Sequence, residues 1–322
     1  MSSRIPRRDF LKVGLTGAAM AGLPLGALAA TQPPAQTLPT RLLGKTGLKV
    51  PILGYGTGPV GTQRTLEDGV QLFQSALEMG ITYFDTAPNF AGYGQAQLQL
   101  GHAFKGRRKD VFLVTKCFKP RADDALRLLE SNLKELQTDH ADLVYAHSLG
   151  ADEMDPAVVM GPGGVMEFLA KVKREGLARF VGVTGHNRPG RFLPILEKYG
   201  IDVMMNAVNF VDCNTYDFEE KVWPAAARKN VGLVAMKVYG GGSGRKADSL
   251  LPIEHHATSF RYALSLPGVS CAVIGMKNAE ELKQNVEWAK SFSPLSREEV
   301  AALRTQGKTL AAKWGPHYGP VA

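Results

Sequence analysis

Asp85, Lys116 and His147 occupy the same kind of place in this 322-residue chain: each sits at the C-terminal end of a short apolar run, ITYFDT, VFLVTK and ADLVYAH respectively. Such a position strips water from one side of the polar group. A lysine treated this way is costly unless paired, and Asp85 is its natural partner. A carboxylate–ammonium pair lowers the pKa of a neighbouring phenol from its ordinary value of about 10, which makes that phenol a usable proton donor. Tyr93, in the segment after Asp85, is the candidate phenol. Taken singly, Asp85 serves equally well as a helix cap, Lys116 as a rim residue, His147 as a core histidine and Tyr93 as a loop aromatic. Their joint occurrence at three successive run ends favours acid–base chemistry.

The elements that must position these groups follow a regular alternation. Eight apolar runs read as strands: 51–57, 81–86, 111–116, 141–147, 179–184, 203–210, 231–238 and 271–275. Most are nearly continuous in apolar residues, as parallel strands covered on both faces are. Between them lie helix signals. Leu66, Val70, Phe73 and Leu77 form one stripe, with Thr65 as N-cap and Gly80 as terminator. Leu126, Leu129, Leu133 and Leu136 form a second, and Val165, Phe168, Leu169 and Val172 a third. Further helices are expected over 96–104, 191–199, 218–229, 256–266 and 279–292. The expected fold is α/β, a single-domain (β/α)8 TIM barrel, whose chemistry sits at the C-terminal ends of the strands. A doubly wound dinucleotide-binding sheet competes, because Gly56-Thr57-Gly58-Pro59-Val60-Gly61 matches G-x-G-x-x-G after a strand. Pro59 inside that loop and the distant acidic residue Asp85 argue against it.

The first thirty residues carry Arg7-Arg8-Asp9-Phe10-Leu11-Lys12, then a weakly hydrophobic segment, then Ala27-Leu28-Ala29-Ala30. This pattern reads as a twin-arginine signal over 1–29, cleaved after Ala29, followed by a linker over 30–40 and the barrel over 41–322. It implies the twin-arginine export machinery as a partner and a periplasmic location. Val13–Ala30 contains Gly14, Gly17, Gly22, Pro24 and Gly26, which makes a retained membrane span the poorer reading. The formal charge of +8 includes Arg4, Arg7, Arg8 and Lys12 against Asp9, so cleavage leaves +5. No basic run with interleaved aromatics suggests nucleic acid as a partner. Cys117, Cys213 and Cys271 have neither a disulfide framework nor a zinc spacing, so no metal is expected.

Several motifs, taken in order, resemble the aldo-keto reductase family: Arg41-x-Leu43-Gly44-x-Thr46-Gly47-Leu48-x-Val50, Leu53-Gly54-x-Gly56-Thr57, Phe84-Asp85-Thr86-Ala87, Val114-Thr115-Lys116 and Asp142-Leu143-x-x-x-His147. Thr184-Gly185-His186-Asn187 and Met236-Lys237-Val238-Tyr239-Gly240 resemble an exported bacterial subgroup. The resemblance implies a (β/α)8 barrel that reduces an aldehyde, ketone or sugar-derived carbonyl with NAD(P)H. It assigns Asp85, Tyr93, Lys116 and His147 as the catalytic tetrad, with Tyr93 the general acid and His147 orienting the carbonyl. The family's usual tyrosine position is held here by Phe90. Tyr93-Gly94-Gln95-Ala96-Gln97, with Leu100-Gly101, restores the family spacing after a three-residue insertion.

The same resemblance places cofactor binding on Gly56, Thr57, Asp85, Thr184, His186, Lys237, Gly240, Gly275, Lys277, Gln284 and Asn285. A helix N-terminus beside Lys277 suits a 2′-phosphate, which favours NADP(H). Glu281 would repel that phosphate, which keeps NAD(H) open. The stretch Gly240–Gly244 with Arg245 is either a flap over the pyrophosphate or a surface loop. The tail Lys313–Tyr318 either caps the substrate pocket or is disordered. A redox-neutral sugar isomerase or lyase on a captive nicotinamide, and a non-catalytic ligand-binding barrel, are the alternative functions.

Overall fold

A computed structural model describes residues 37–241 and 248–322. The expected signal over 1–29, the linker as far as residue 36 and the glycine-rich stretch over 242–245 lie outside the described residues. The strands are β1 (Thr40–Leu42), β2 (Lys49–Pro51), β3 (Leu53–Gly56), β4 (Tyr83–Asp85), β5 (Phe112–Cys117), β6 (Ala141–Ala146), β7 (Ala178–Gly185), β8 (Val203–Ala207), β9 (Gly232–Met236) and β10 (Val269–Gly275). Strands β3 to β10 pair in parallel with their sequence neighbours, and β10 pairs with β3, so the sheet closes into an eight-stranded barrel. The open doubly wound sheet is thereby excluded. Each of the eight expected runs overlaps one barrel strand, with β5, β7 and β10 extending one or two residues beyond theirs. No helix among the described residues is long and apolar enough to cross a membrane.

Side-chain alternation decides what enters the barrel. Tyr83, Phe112, Val114, Leu143, Tyr145, Val234, Met236, Cys271 and Val273 form an inner apolar cluster. Their neighbours of opposite parity, such as Phe84, Leu113, Val144 and Leu233, join the outer cluster beneath the helices. Successive strand residues point to opposite faces. The inward series Tyr83–Asp85, Phe112–Val114–Lys116 and Leu143–Tyr145–His147 therefore delivers all three polar groups to the C-terminal mouth. The N-terminal mouth is closed by the β1–β2 hairpin, which contributes Leu43 and Val50 to the inner cluster.

Three elements differ from expectation. The run 51–57 is two strands, because β2 ends at Pro51 before β3 begins at Leu53. The expected helix over 218–229 is broken into Phe218–Lys221 and Trp223–Arg228, with Pro224 in the first turn of the second. A C-terminal helix, Arg297–Trp314, was not anticipated; Ser296 and Glu299 form its capping box.

Candidate active site

The Lys116 ammonium is the centre of the mouth. It is buried, and its three N–H groups donate to Asp85 Oδ2 at 2.5 Å, to the Thr86 carbonyl at 2.8 Å and to Tyr93 Oη at 3.2 Å. Burial works against the charged amine, but the Asp85 carboxylate and the Tyr93 phenol outweigh it and hold Lys116 above the usual lysine range. Burial also pushes the Asp85 carboxyl upward, against the pull of Lys116.

Tyr93 differs from expectation in one respect. Burial pushes its phenol above the ordinary tyrosine value, and Lys116 only partly reverses that. The phenol therefore keeps its proton, where a lowered pKa was expected. Because the ammonium donates to the phenol oxygen, the O–H itself is left to donate elsewhere.

Phe90 is elsewhere. Its side chain is 58% exposed and its ring lies under the Lys119 ammonium, 5.5 Å from the centroid. The backbone explains why Tyr93 goes inward. Gly61, in the helix Gly58–Gln63, packs so closely on the Tyr93–Gly94 segment that a Cβ would overlap the Tyr93 carbonyl. Gly94 has φ +53° and lies equally close to the Gly61 carbonyl, which accepts from the Gln95 N–H at 3.0 Å. The third glycine of the literal G-x-G-x-x-G match thus serves to seat the Tyr93 loop.

His147 is held by its own N–H, which donates to the Cys117 carbonyl at 3.0 Å, and by edge contact with the Phe118 ring. Its Nδ1 is buried without a protein partner, as is Asp85 Oδ1. Burial, then Lys116 and the neighbouring cations, push His147 well below the usual histidine range, so it is a neutral imidazole. His186 is depressed in the same way, by burial first and Lys237 second.

These groups line one cavity of about 610 Å³. Its β4–β7 side carries Asp85, Tyr93, His147 and His186; its β9–β10–β3 side carries Gly56, Lys237, Gly275, Lys277 and Asn285. Four expected cofactor residues are not on this wall. Thr57 is buried and donates to the Asp85 carbonyl at 3.0 Å, Thr184 accepts from the Ser148 N–H at 3.1 Å, and Gly240 packs against Trp314. Gln284 is exposed on the helix Ala279–Lys290.

Other residues were missed. Phe118, Ser148, Tyr239, Leu251 and His256 line the cavity. Tyr239 stacks on His256 at 4.1 Å and donates to Asn285 Oδ1 at 2.5 Å. Ser148 directly follows a recognised strand end, which was its signal; the Tyr239–His256 stack had none. Of the two readings of the tail, the packed one is seen. Tyr318 lies 5.4 Å from the His186 ring, its OH donates to the Gly241 carbonyl at 2.9 Å, and His317 pairs with buried Asp212 at 2.8 Å.

A mouth of this kind, with a buried ammonium behind a protonated phenol and a neutral imidazole beside it, can hold a carbonyl oxygen and deliver a proton to it. Among known proteins, the aldo/keto reductase family model matches residues 52–256. An L-galactose dehydrogenase of Arabidopsis thaliana is 24% identical, aligned over 86% of this chain and 98% of its own. A D-threo-aldose 1-dehydrogenase of a Pseudomonas species is 25% identical over 76% of this chain and 90% of its own. The holo form of the aldo-keto reductase AKR11C1 from Bacillus halodurans superposes with a TM-score of 0.68 at 24% identity, covering 88% of this chain and all of that one.

Proposed function

Since the chain belongs to the aldo/keto reductase family of oxidoreductases, we propose that it interconverts a carbonyl and an alcohol with a nicotinamide dinucleotide, on an aldehyde, ketone or sugar-derived substrate. One observation carries the mechanism: all three Lys116 N–H groups are spent on oxygens of Asp85, Thr86 and Tyr93. The phenol oxygen accepts, so its proton is free for the substrate oxygen. The Lys116 charge stabilises the phenolate that remains after transfer. His147, neutral and anchored, orients the carbonyl. In the reverse direction the same phenolate removes the proton from an alcohol. The sugar dehydrogenases among the relatives support a sugar-derived substrate.

The wall fits an extended dinucleotide. Gly56 and Gly275 line the cleft; a Cβ at Gly275 would come within 2.7 Å of Pro59 Cγ, and at Gly56 within 3.2 Å of Val273 Cγ1, so both are glycine to let Pro59 and β3 pack against β10. Gly56, Gly275, Tyr239, Glu281 and Asn285 would hold the group, and the orphaned Asp85 Oδ1 gives it an acceptor near the reacting end. When bound, it supplies the hydride.

The adenosine end fits NAD(H) better than the expected NADP(H). Lys277 pairs with Asp248 at 2.6 Å, and its carbonyl accepts from Arg64 Nε at 2.8 Å, so both nearby cations are already engaged. Glu281 Oε2 accepts from the Lys277 N–H at 2.7 Å, so a carboxylate already occupies the helix N-terminus. It would repel a 2′-phosphate and accept from a ribose diol instead.

We also infer export by the twin-arginine route, which moves folded proteins, with the dinucleotide captured before passage. Periplasmic protein is expected to begin at Ala30 and to release NAD(H) on denaturation; a precursor N-terminus, or no nucleotide, would count against these readings. In Glu281→Gln the NADP(H)/NAD(H) affinity ratio, measured by quenching of protein fluorescence, is expected to rise on the order of tenfold as like-charge repulsion is removed. Absence of turnover with every dinucleotide and carbonyl tried would sink the reductase reading itself.

A further inference from the structure

Phe90 keeps its ring in solvent beside a second cavity that the carbonyl chemistry does not use. This chamber, of about 470 Å³, borders the catalytic cavity along Phe118, His147 and Ser148, which line both. Its outer wall is the segment that leads into Tyr93. Asn89–Ala91 makes a turn of 3-10 helix, and Gly92, with φ +86°, ends it by donating its N–H to the Asn89 carbonyl at 2.9 Å. Tyr93 then runs into the catalytic cavity, while Asn89 and Phe90 line the chamber alone. The Lys119 ammonium lies over the Phe90 ring and holds it, yet 58% of the residue stays exposed. An aromatic face left to water at the edge of a cavity is a surface that a ligand can cover.

The chamber mixes rings with hydrogen-bonding groups. Phe90 and Phe118 supply aromatic faces, and Thr62, Asn89 and Ser148 supply an amide and two hydroxyls. The Thr62 hydroxyl donates to the Gly58 carbonyl at 3.0 Å, which leaves its oxygen to accept. Among the described residues none hydrogen-bonds the Asn89 amide or the Ser148 hydroxyl. Ser148 is held in place by its backbone, which is left-handed with φ +55°. Its N–H donates to Thr184 Oγ1 at 3.1 Å and its carbonyl accepts from the Ala151 N–H at 2.8 Å. A sugar ring fits this mixture, because its C–H faces pack on aromatic rings and its hydroxyls lie around the rim. A purely aromatic group would leave the amide and the serine hydroxyl unpaired. We propose that the chamber is a subsite for a second sugar ring, so that this enzyme acts on glycosidically linked, two-ring carbohydrates. The proposal rests on the sugar-derived substrate of the reading above and narrows its class. With the reacting carbon against Tyr93 and His147, the ring linked to it enters the chamber that the same imidazole lines.

The test titrates dinucleotide-loaded protein calorimetrically with methyl glucoside, methyl cellobioside and methyl maltoside, with phenyl glucoside as an apolar control. Turnover is followed on these and on the free sugars. The wild type is expected to bind a two-ring sugar on the order of tenfold more tightly than the one-ring sugar, and Phe90→Ala to lose most of that ratio. Phe90→Trp, which keeps an aromatic face, should retain it. Asn89→Ala should lower two-ring affinity relative to phenyl glucoside about 3- to 10-fold, the worth of one hydrogen bond. Positions 89 and 90 are exposed, so an unchanged melting temperature is expected of all three variants. A two-ring preference absent from the wild type, or unchanged by Phe90→Ala, overturns the proposal. So does a Phe90-dependent preference confined to phenyl glucoside, since the chamber then takes an aromatic group. A wild type that binds two-ring sugars through Phe90 but turns over none keeps the subsite and removes the reductase reading; turnover of one-ring carbonyls with no two-ring preference does the reverse.

Discussion

Tyr93→Phe is expected to lower the rate of hydride transfer about 10²- to 10⁴-fold, the range for loss of a positioned general acid. The substitution keeps the ring, which packs near Gly58 and lies with the Lys116 ammonium 4.7 Å from its centroid, so the loop should stay seated. One Lys116 N–H loses its acceptor, at a cost of about 1–3 kcal/mol in stability, visible as a modest fall in melting temperature. Single-turnover rates separate this chemical loss from changes in substrate affinity. Phe90→Tyr in the Tyr93→Phe background should rescue nothing, because position 90 is exposed and sits over Lys119 rather than Lys116. Rescue by that second change would show that the general acid had been placed on the wrong residue. The wild-type reduction rate should also hold level across neutral pH, since a phenol raised above its ordinary value is protonated throughout and loses its proton only in the alkaline range.

The reach of Tyr93 could be read from spacing, but the reason for it could not. Apolar runs ending in Asp85, Lys116 and His147 were visible because a parallel strand buried on both faces is nearly all apolar, and a polar residue at its end stands out. Parity then fixes where each points. The barrel, as opposed to an open sheet, followed from eight such runs alternating with helix stripes. What stayed hidden depends on contacts between distant segments. The left-handed turn at Lys237 is enforced by Asn209, 28 residues away, and no local pattern announces it. The Gly61–Gly94 contact joins two loops whose glycines each looked ordinary. Gln284 was misplaced by helix geometry: Glu281 and Asn285 are one turn apart and share the cavity face, while Gln284 falls on the solvent side with Lys283 and Glu287. The phenol pKa went the other way because burial, which a sequence does not quantify, outweighs one nearby cation.

Lys116→Met is expected to cost about 3–5 kcal/mol of stability and essentially all activity, because it leaves the Asp85 carboxylate buried without its charge partner. Asp85→Asn should be damaging for the converse reason, stranding an ammonium that already works against its own burial. The combination Asp85→Leu with Lys116→Met separates two roles of the pair. Taking both charges out of a site that is 1% and 3% exposed removes the desolvation cost along with the attraction, so chemical denaturation should find the double variant more stable than Lys116→Met alone. Its activity should stay as low as that of the single variants, since nothing then holds the Tyr93 oxygen from behind. Recovered stability without recovered rate would mean that this ion pair exists to poise the phenol and contributes little to holding the barrel together. A double variant no more stable than Lys116→Met would instead place the pair among the supports of the fold.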